Sequence, residues 1–153
     1  MGWLGASFNA GGAAEKATEK RLQRLEDEAA IVRLQNAYGY YVDKRLWNQV
    51  IDLFSDAASV EISHRGVYVG KAGVRRLFVE SWGKGRIGLA RGELFTHMVV
   101  QPVVDIAADG NHAQGRFRTF AHVGQVGADT RGVMWVEGVY ENEFVREGGV
   151  WRY

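Results

Sequence analysis

The chain has 153 residues, a length that fits one domain able to bury its own core. It has no cysteine, which excludes disulfides, thiolate zinc sites and cysteine nucleophiles and permits the reducing cytoplasmic location expected here. Lys+Arg 19 against Asp+Glu 18 leave a formal charge of +1, the basic residues are scattered, and no apolar run is long enough for a membrane helix, so neither nucleic acid nor membrane is an expected partner.

In chain order, residues 1–14 (MGWLGASFNAGGAA) are rich in Gly and Ala. They lack the basic leader and unbroken apolar stretch of a signal peptide. The reading is a flexible tail over 1–17 and a single domain over 18–153. From Thr18, taken as the N-cap, TEKRLQRLEDEAAIVRLQNAYGYYV has helical spacing, with Leu22, Leu25, Ala29, Val32 and Leu34 as its stripe and Ile31, Tyr38, Tyr41 and Val42 continuing it. A second helix is predicted over about Leu46–Phe54, with Trp47, Val50, Ile51 and Phe54 facing inward. Asp43 lies at the junction of the two, a carboxylate among aromatics. It either caps the second helix or takes part in acid–base chemistry in a sheltered site.

ASVEIS and RGVYVG read as two short strands, and KAGVRRLFVESW returns to helical spacing. GKGRIGLARGE is a Gly-rich loop, a candidate rim or lid. Three long strands follow: THMVVQPVVDIA, the turn ADGN, HAQGRFRTFAHVG, a Gly/Asp loop, then GVMWVEGVYENEFVRE, the turn EGG and a last strand, VWRY. Helices first and sheet afterwards predict an α+β fold, a cone-like barrel with N-terminal helices packed on a curved, mostly antiparallel sheet.

Strand alternation puts His97 on a face with Phe95, Val99, Gln101 and Val103, and His122 on a face with Phe120, Arg118 and Arg116. Each histidine also has a plain reading, a backbone-bonded strand residue for His97 and a surface residue for His122. His64 and His112 sit in turns and are expected to face water. There is no HExxH or other metal-ligand spacing, no GxSxG elbow and no dinucleotide fingerprint, so neither a metal nor a cofactor is expected.

The run AIVRLQNAYGYYVDKRLWNQVIDLFSDAASVEI, with GVYVGKAGVRRLF, FTHMVVQPVVDIAADGNHAQGRFRTF and EGVYENEFVREGGVWRY, resembles the SnoaL-like branch of the nuclear-transport-factor-2 superfamily. Within it the chain is similar to the scytalone dehydratase and hexachlorocyclohexane dehydrochlorinase families, whose helix-end aspartate and strand histidine match Asp43 in YYVDKRLW and His97 in FTHMVV. His122 in FAHVG matches a second histidine of the dehydratases. Their first-strand tyrosine and late-strand serine and asparagine have no counterpart here, which argues against scytalone as substrate.

The resemblance implies a cofactor-independent lyase, a dehydratase or an enzyme eliminating a small aldehyde. It would use Asp43, His97 and His122 on a hydrophobic, aromatic substrate, and work as a homodimer or homotrimer. Tyr38, Tyr41, Trp47, Phe95, Phe120 and Trp135 are the expected substrate-binding residues. An isomerase or cyclase with Asp43 as the base, or a non-catalytic ligand-binding or assembly module, would use the same fold.

Overall fold

The computed structural model describes residues 7–125 and 133–153; the Gly/Asp loop expected between the second and third long strands lies outside them. Helix α1 spans Ser7–Asp43. It is already helical at Thr18, whose hydroxyl donates to the Ala14 carbonyl one turn back, so Thr18 is a mid-helix residue and not the expected cap. The expected stripe is also displaced. Leu22 and Leu25 stand in water, 55% and 64% exposed, while Asp27, Ile31, Gln35, Tyr38 and Val42 form the buried line. Their 4-4-3-4 spacing keeps one face on the sheet.

The end of α1 is a tight stop. Leu46 N–H donates to the Tyr41 carbonyl, and Arg45 adopts a left-handed conformation (φ 51°). Helix α2 (Trp47–Asp52) then packs back on α1. Strands β1 (Ser59–Glu61) and β2 (Val67–Val69) form an antiparallel hairpin. Helix α3 (Gly70–Arg75) widens into a π-helical stretch, Arg76–Trp82. Gly83 follows because it must: a Cβ there would lie 2.5 Å from the Trp47 indole nitrogen and 2.7 Å from a backbone oxygen.

The main sheet is a four-stranded antiparallel ladder in the order β3-β4-β5-β6, formed by Glu93–Ile106, His112–Gln125, Val133–Glu147 and Val150–Arg152. Gly148 and Gly149, both at positive φ, make the two-residue turn into β6. Helix α1 lies across β3, and the sheet curls around it as a half-barrel. This is the expected α+β class.

Strand β3 carries a bulge. Val100 pairs with Arg118 but Val103 pairs with Arg116, one residue being added between them, and Gln101 has φ 53°. Before the bulge Phe95, His97 and Val99 point toward the helices; after it Val104 and Ile106 do. Gln101 and Val103, expected on the His97 face, are therefore exposed.

Two apolar clusters fill the half-barrel. One joins Tyr38, Val42, Trp47, Val50, Phe54, Leu77 and Phe78; the other joins Ile31, Ile106, Phe117, Phe144 and Trp151. Each large side chain so buried contributes about 1.5–3 kcal/mol.

Candidate active site

Asp43, the last residue of α1, is 7% exposed and faces β3. Its carboxylate accepts the backbone N–H of His97 at both oxygens (2.9 and 3.1 Å) and meets His97 Nδ1 at 2.7 Å. A carboxylate in that position only accepts, so Nδ1–H is the donor, and in the neutral imidazole Nε2 carries the lone pair. Nε2 has no hydrogen-bond partner among the described residues. The capping role open for Asp43 is not realised, since α2 has no side-chain cap. Its side chain instead fixes a histidine 54 residues away in sequence, in both position and tautomer.

The inward face of β3 continues the site toward the surface. Phe95 stands edge-on to His97 at 5.0 Å, and the Arg45 guanidinium lies 5.8 Å above the Phe95 ring. Arg45 also pairs with Glu93 at 3.4 Å, and Arg86 pairs with the same carboxylate at 2.6 Å. The Arg86 hydrogen bond holds the Glu93 carboxyl below its ordinary range; burial opposes this, and the Ala90 N–H and Arg45 assist it. Two further bonds, Trp47 Nε1–H to the Arg86 carbonyl (3.0 Å) and Gly88 N–H to the Arg45 carbonyl (3.2 Å), bind the same segment. The Gly-rich loop expected to form a rim is thus tied down beside the Asp43–His97 pair.

Behind the pair lies a layer of phenols. Tyr38 packs edge-on against Tyr140 (5.8 Å) and Tyr153 (5.7 Å). Burial pushes all three hydroxyls up, Tyr140 to about 12, so they are neutral donors at physiological pH. Gln35 Oε1 accepts from Asn142 (2.8 Å) and Tyr153 (2.9 Å), while Gln35 Nε2 is buried without a partner. A cavity of about 550 Å³ opens between β1 and β5 and reaches Gln35, Tyr38, Tyr140 and Tyr153. Asp43 and His97 are not among its walls, and Tyr140 links the two regions.

The expected site residues divide. Tyr38 and Phe95 join Asp43 and His97 in the interior, and Tyr41 is half-buried against the first cluster. Trp47 is 2% exposed and stacked on Phe78 at 5.9 Å, with its indole N–H already used, so it is core rather than pocket wall. His122, Phe120 and Trp135 do not reach the site. His122 pairs with Thr96 and Trp135, residues that point away from the helices, and Trp135 is 60% exposed and stacks on Phe120 at 4.6 Å. Side chains opposite one another on neighbouring strands share a face, so His122 lies on the far side of the sheet from His97. His64 and His112 face solvent, as expected.

Arg45, Glu93, Thr119 and Tyr140 were not anticipated as site residues. The inward alternation of Ala113, Phe117 and Ala121 on β4 is the signal that leads to Thr119.

The fold and its interior pair define an α+β half-barrel protein with a carboxylate-oriented histidine. The chain belongs to the SnoaL-like domain family, which matches residues 23–153. Solved structures share the fold at low identity. LinA is 21% identical, with TM-score 0.71, over 86% of this chain and 84% of that one. The hexachlorocyclohexane dehydrochlorinase LinA-type3 of Novosphingobium barchaimii LL02 is 23% identical, with TM-score 0.69, over 86% and 84%. A protein of Novosphingobium aromaticivorans, provisionally called a scytalone dehydratase, is 17% identical, with TM-score 0.70, over 85% and 80%. No curated protein matches the sequence.

Proposed function

We propose that the chain is a cofactor-independent lyase that eliminates water or a small aldehyde from a hydrophobic, aromatic substrate. The observation that carries this reading is the contact between Asp43 and His97 Nδ1, with Nε2 left as an acceptor. His97 Nε2 takes a proton from a substrate carbon or hydroxyl, and Asp43 stabilises the imidazolium that forms. Phe95 and Tyr38 supply aromatic surface beside the base. Relatives of the same fold that bear the names dehydratase and dehydrochlorinase support an elimination, in which a base takes a proton, a leaving group departs with the electron pair of its bond to carbon, and no redox change occurs.

The test is turnover of β-hydroxy aryl ketones and aryl-propanoid alcohols, with product formation followed by absorbance and mass. His97→Ala should lower kcat by about 10²–10⁴-fold on any probe that reacts. Unchanged turnover in that variant removes His97 from the mechanism.

The reading includes self-association. The outward sheet face presents Met98, Val100, Val133, Trp135 and Val139 to solvent. A second copy of the chain is the proposed partner for that face, as a homodimer or homotrimer.

A further inference from the structure

The inward faces of β4 and β5 carry a polar group that the fold leaves unused. Thr119 is 8% exposed, and its Oγ1 is buried without a hydrogen-bond partner. On the sheet, Val99 pairs with Thr119 and His97 with Ala121, so Thr119 lies diagonally across from His97. On β5, Gly138 pairs with Thr119 and Tyr140 with Phe117, which puts Tyr140 diagonal to Thr119 on its other side. Ala121 and Gly138 bring almost no side chain to this face. The area bounded by His97, Thr119 and Tyr140 is therefore not filled by the sheet. The Tyr140 ring, held edge-on by Tyr38 at 5.8 Å, also forms part of the cavity wall. Burial is the main cause that raises the Tyr140 pKa to about 12; the Thr119 hydroxyl, close to the phenol though not in a hydrogen bond of normal geometry with it, opposes the rise, and the nearby Asp43 carboxylate adds to it. The phenol is therefore a donor close to the Asp43–His97 pair and does not hold a lasting negative charge at neutral pH.

We propose that Tyr140 and Thr119 form an oxygen-binding subsite facing His97, which donates hydrogen bonds to a hydroxyl or alkoxy oxygen of the substrate. Only the assignment of that oxygen as the departing one rests on the lyase reading. In that step His97 Nε2 removes a proton from the carbon next to the C–O carbon. The C–H electron pair becomes the new C=C bond, and the C–O bond breaks with its pair moving to oxygen. Tyr140 and Thr119 bond to the charge that develops there. The imidazolium of His97 then protonates the oxygen, which leaves as water or an alcohol. Tyr140 and Thr119 begin and end neutral.

The first experiment measures binding of a matched pair of probes, 3-phenylpropan-1-ol and propylbenzene. Each neutral hydrogen bond is worth roughly 2–10-fold. Tyr140→Phe and Thr119→Val should each weaken the alcohol by about that factor and leave propylbenzene unchanged, while His97→Ala keeps the discrimination. Equal weakening of both probes, no weakening, or no binding of the alcohol to the wild type overturns the subsite.

The second experiment compares elimination from β-hydroxy- and β-acetoxypropiophenone. Loss of a donor to developing oxyanion charge costs about 10²–10³-fold. Tyr140→Phe should lose that much on the hydroxy ketone and far less on the acetoxy ketone, whose leaving group needs little help. Uniform loss or no loss removes Tyr140 from the departing oxygen. If His97→Ala leaves both eliminations intact while the alcohol discrimination persists, the lyase reading fails and the subsite stands.

Discussion

Asp43→Asn separates the two jobs of this carboxylate. Asp43 accepts from the His97 backbone N–H and from Nδ1–H. An Asn whose oxygen takes the place of Oδ1 still reaches both donors, but its amide N–H then replaces Oδ2 and faces the His97 backbone N–H at 3.1 Å. One charge-assisted bond is lost and one donor faces a donor. Hydrogen bonds to charged groups are worth about 1.5–3 kcal/mol. For a domain of this size each kcal/mol moves Tm by about 2–4 °C, so a fall of roughly 3–12 °C is expected. Turnover should fall further than stability suggests, by about 10²–10⁴-fold, because the amide no longer dictates which imidazole nitrogen carries the proton. Thermal unfolding gives the first quantity and single-turnover kinetics the second. Long-range ¹H–¹⁵N correlation spectra of the imidazole report the tautomer. A variant that keeps Nδ1 protonated and turns over within threefold of the parent refutes the orienting role.

Asp27 gives a pH prediction. Burial pushes its carboxyl up, but bonds from Arg146, Trp151 and Gln23 outweigh burial and hold it below its ordinary value. A folded pKa below the unfolded one contributes stability above the unfolded value and loses it as pH falls through the folded value. Asp27→Asn should therefore be less stable than the parent at pH 7, and the gap should close below about pH 4; equal gaps at pH 7 and pH 3 in denaturant melts would count against this. Glu93→Gln removes the acceptor shared by Arg45, Arg86 and the Ala90 N–H, and hydrogen exchange over residues 84–92 should speed up by about tenfold or more. Unchanged exchange there means that other contacts hold the loop. Trp135→Arg places a charge in the middle of the exposed apolar face, and light scattering should show a shift toward monomer without loss of fold.

Element order and type were readable because most elements bury one face and so carry a period. Residues 12–26 of α1 are exposed, so their helicity leaves no apolar stripe in the sequence, and the periodicity points to a start only near Thr18. The pairing of Asp43 with His97 was reachable through family resemblance and strand alternation together. Alternation alone could not say which face of β4 looks inward. The clue was present, since Arg116 and Arg118 share the His122 face and two arginines mark a solvated side; in the structure they pair with Glu141 and Glu137 there. The bulge was less visible, although Pro102 within a long strand, with Gln101 before it, is the composition expected of one. Trp47 was misplaced for a different reason. Helical spacing shows that a residue faces inward, but not whether it meets another side chain or open space.

The extra residue at Gln101 has a consequence for how the molecule tolerates change. It makes the odd-numbered positions of β3 inward on one side and the even-numbered positions inward on the other. The half that carries His97 and the half built around Ile106 therefore run on opposite parity in the numbering. Deleting the added residue restores regular alternation, so His97 stays toward Asp43 and Ile106 stays in its cluster, and what is lost is the local bend of the strand. Gln101 lies in neither apolar cluster, and the bend it puts into β3, not the inward facing of either half, is what depends on it.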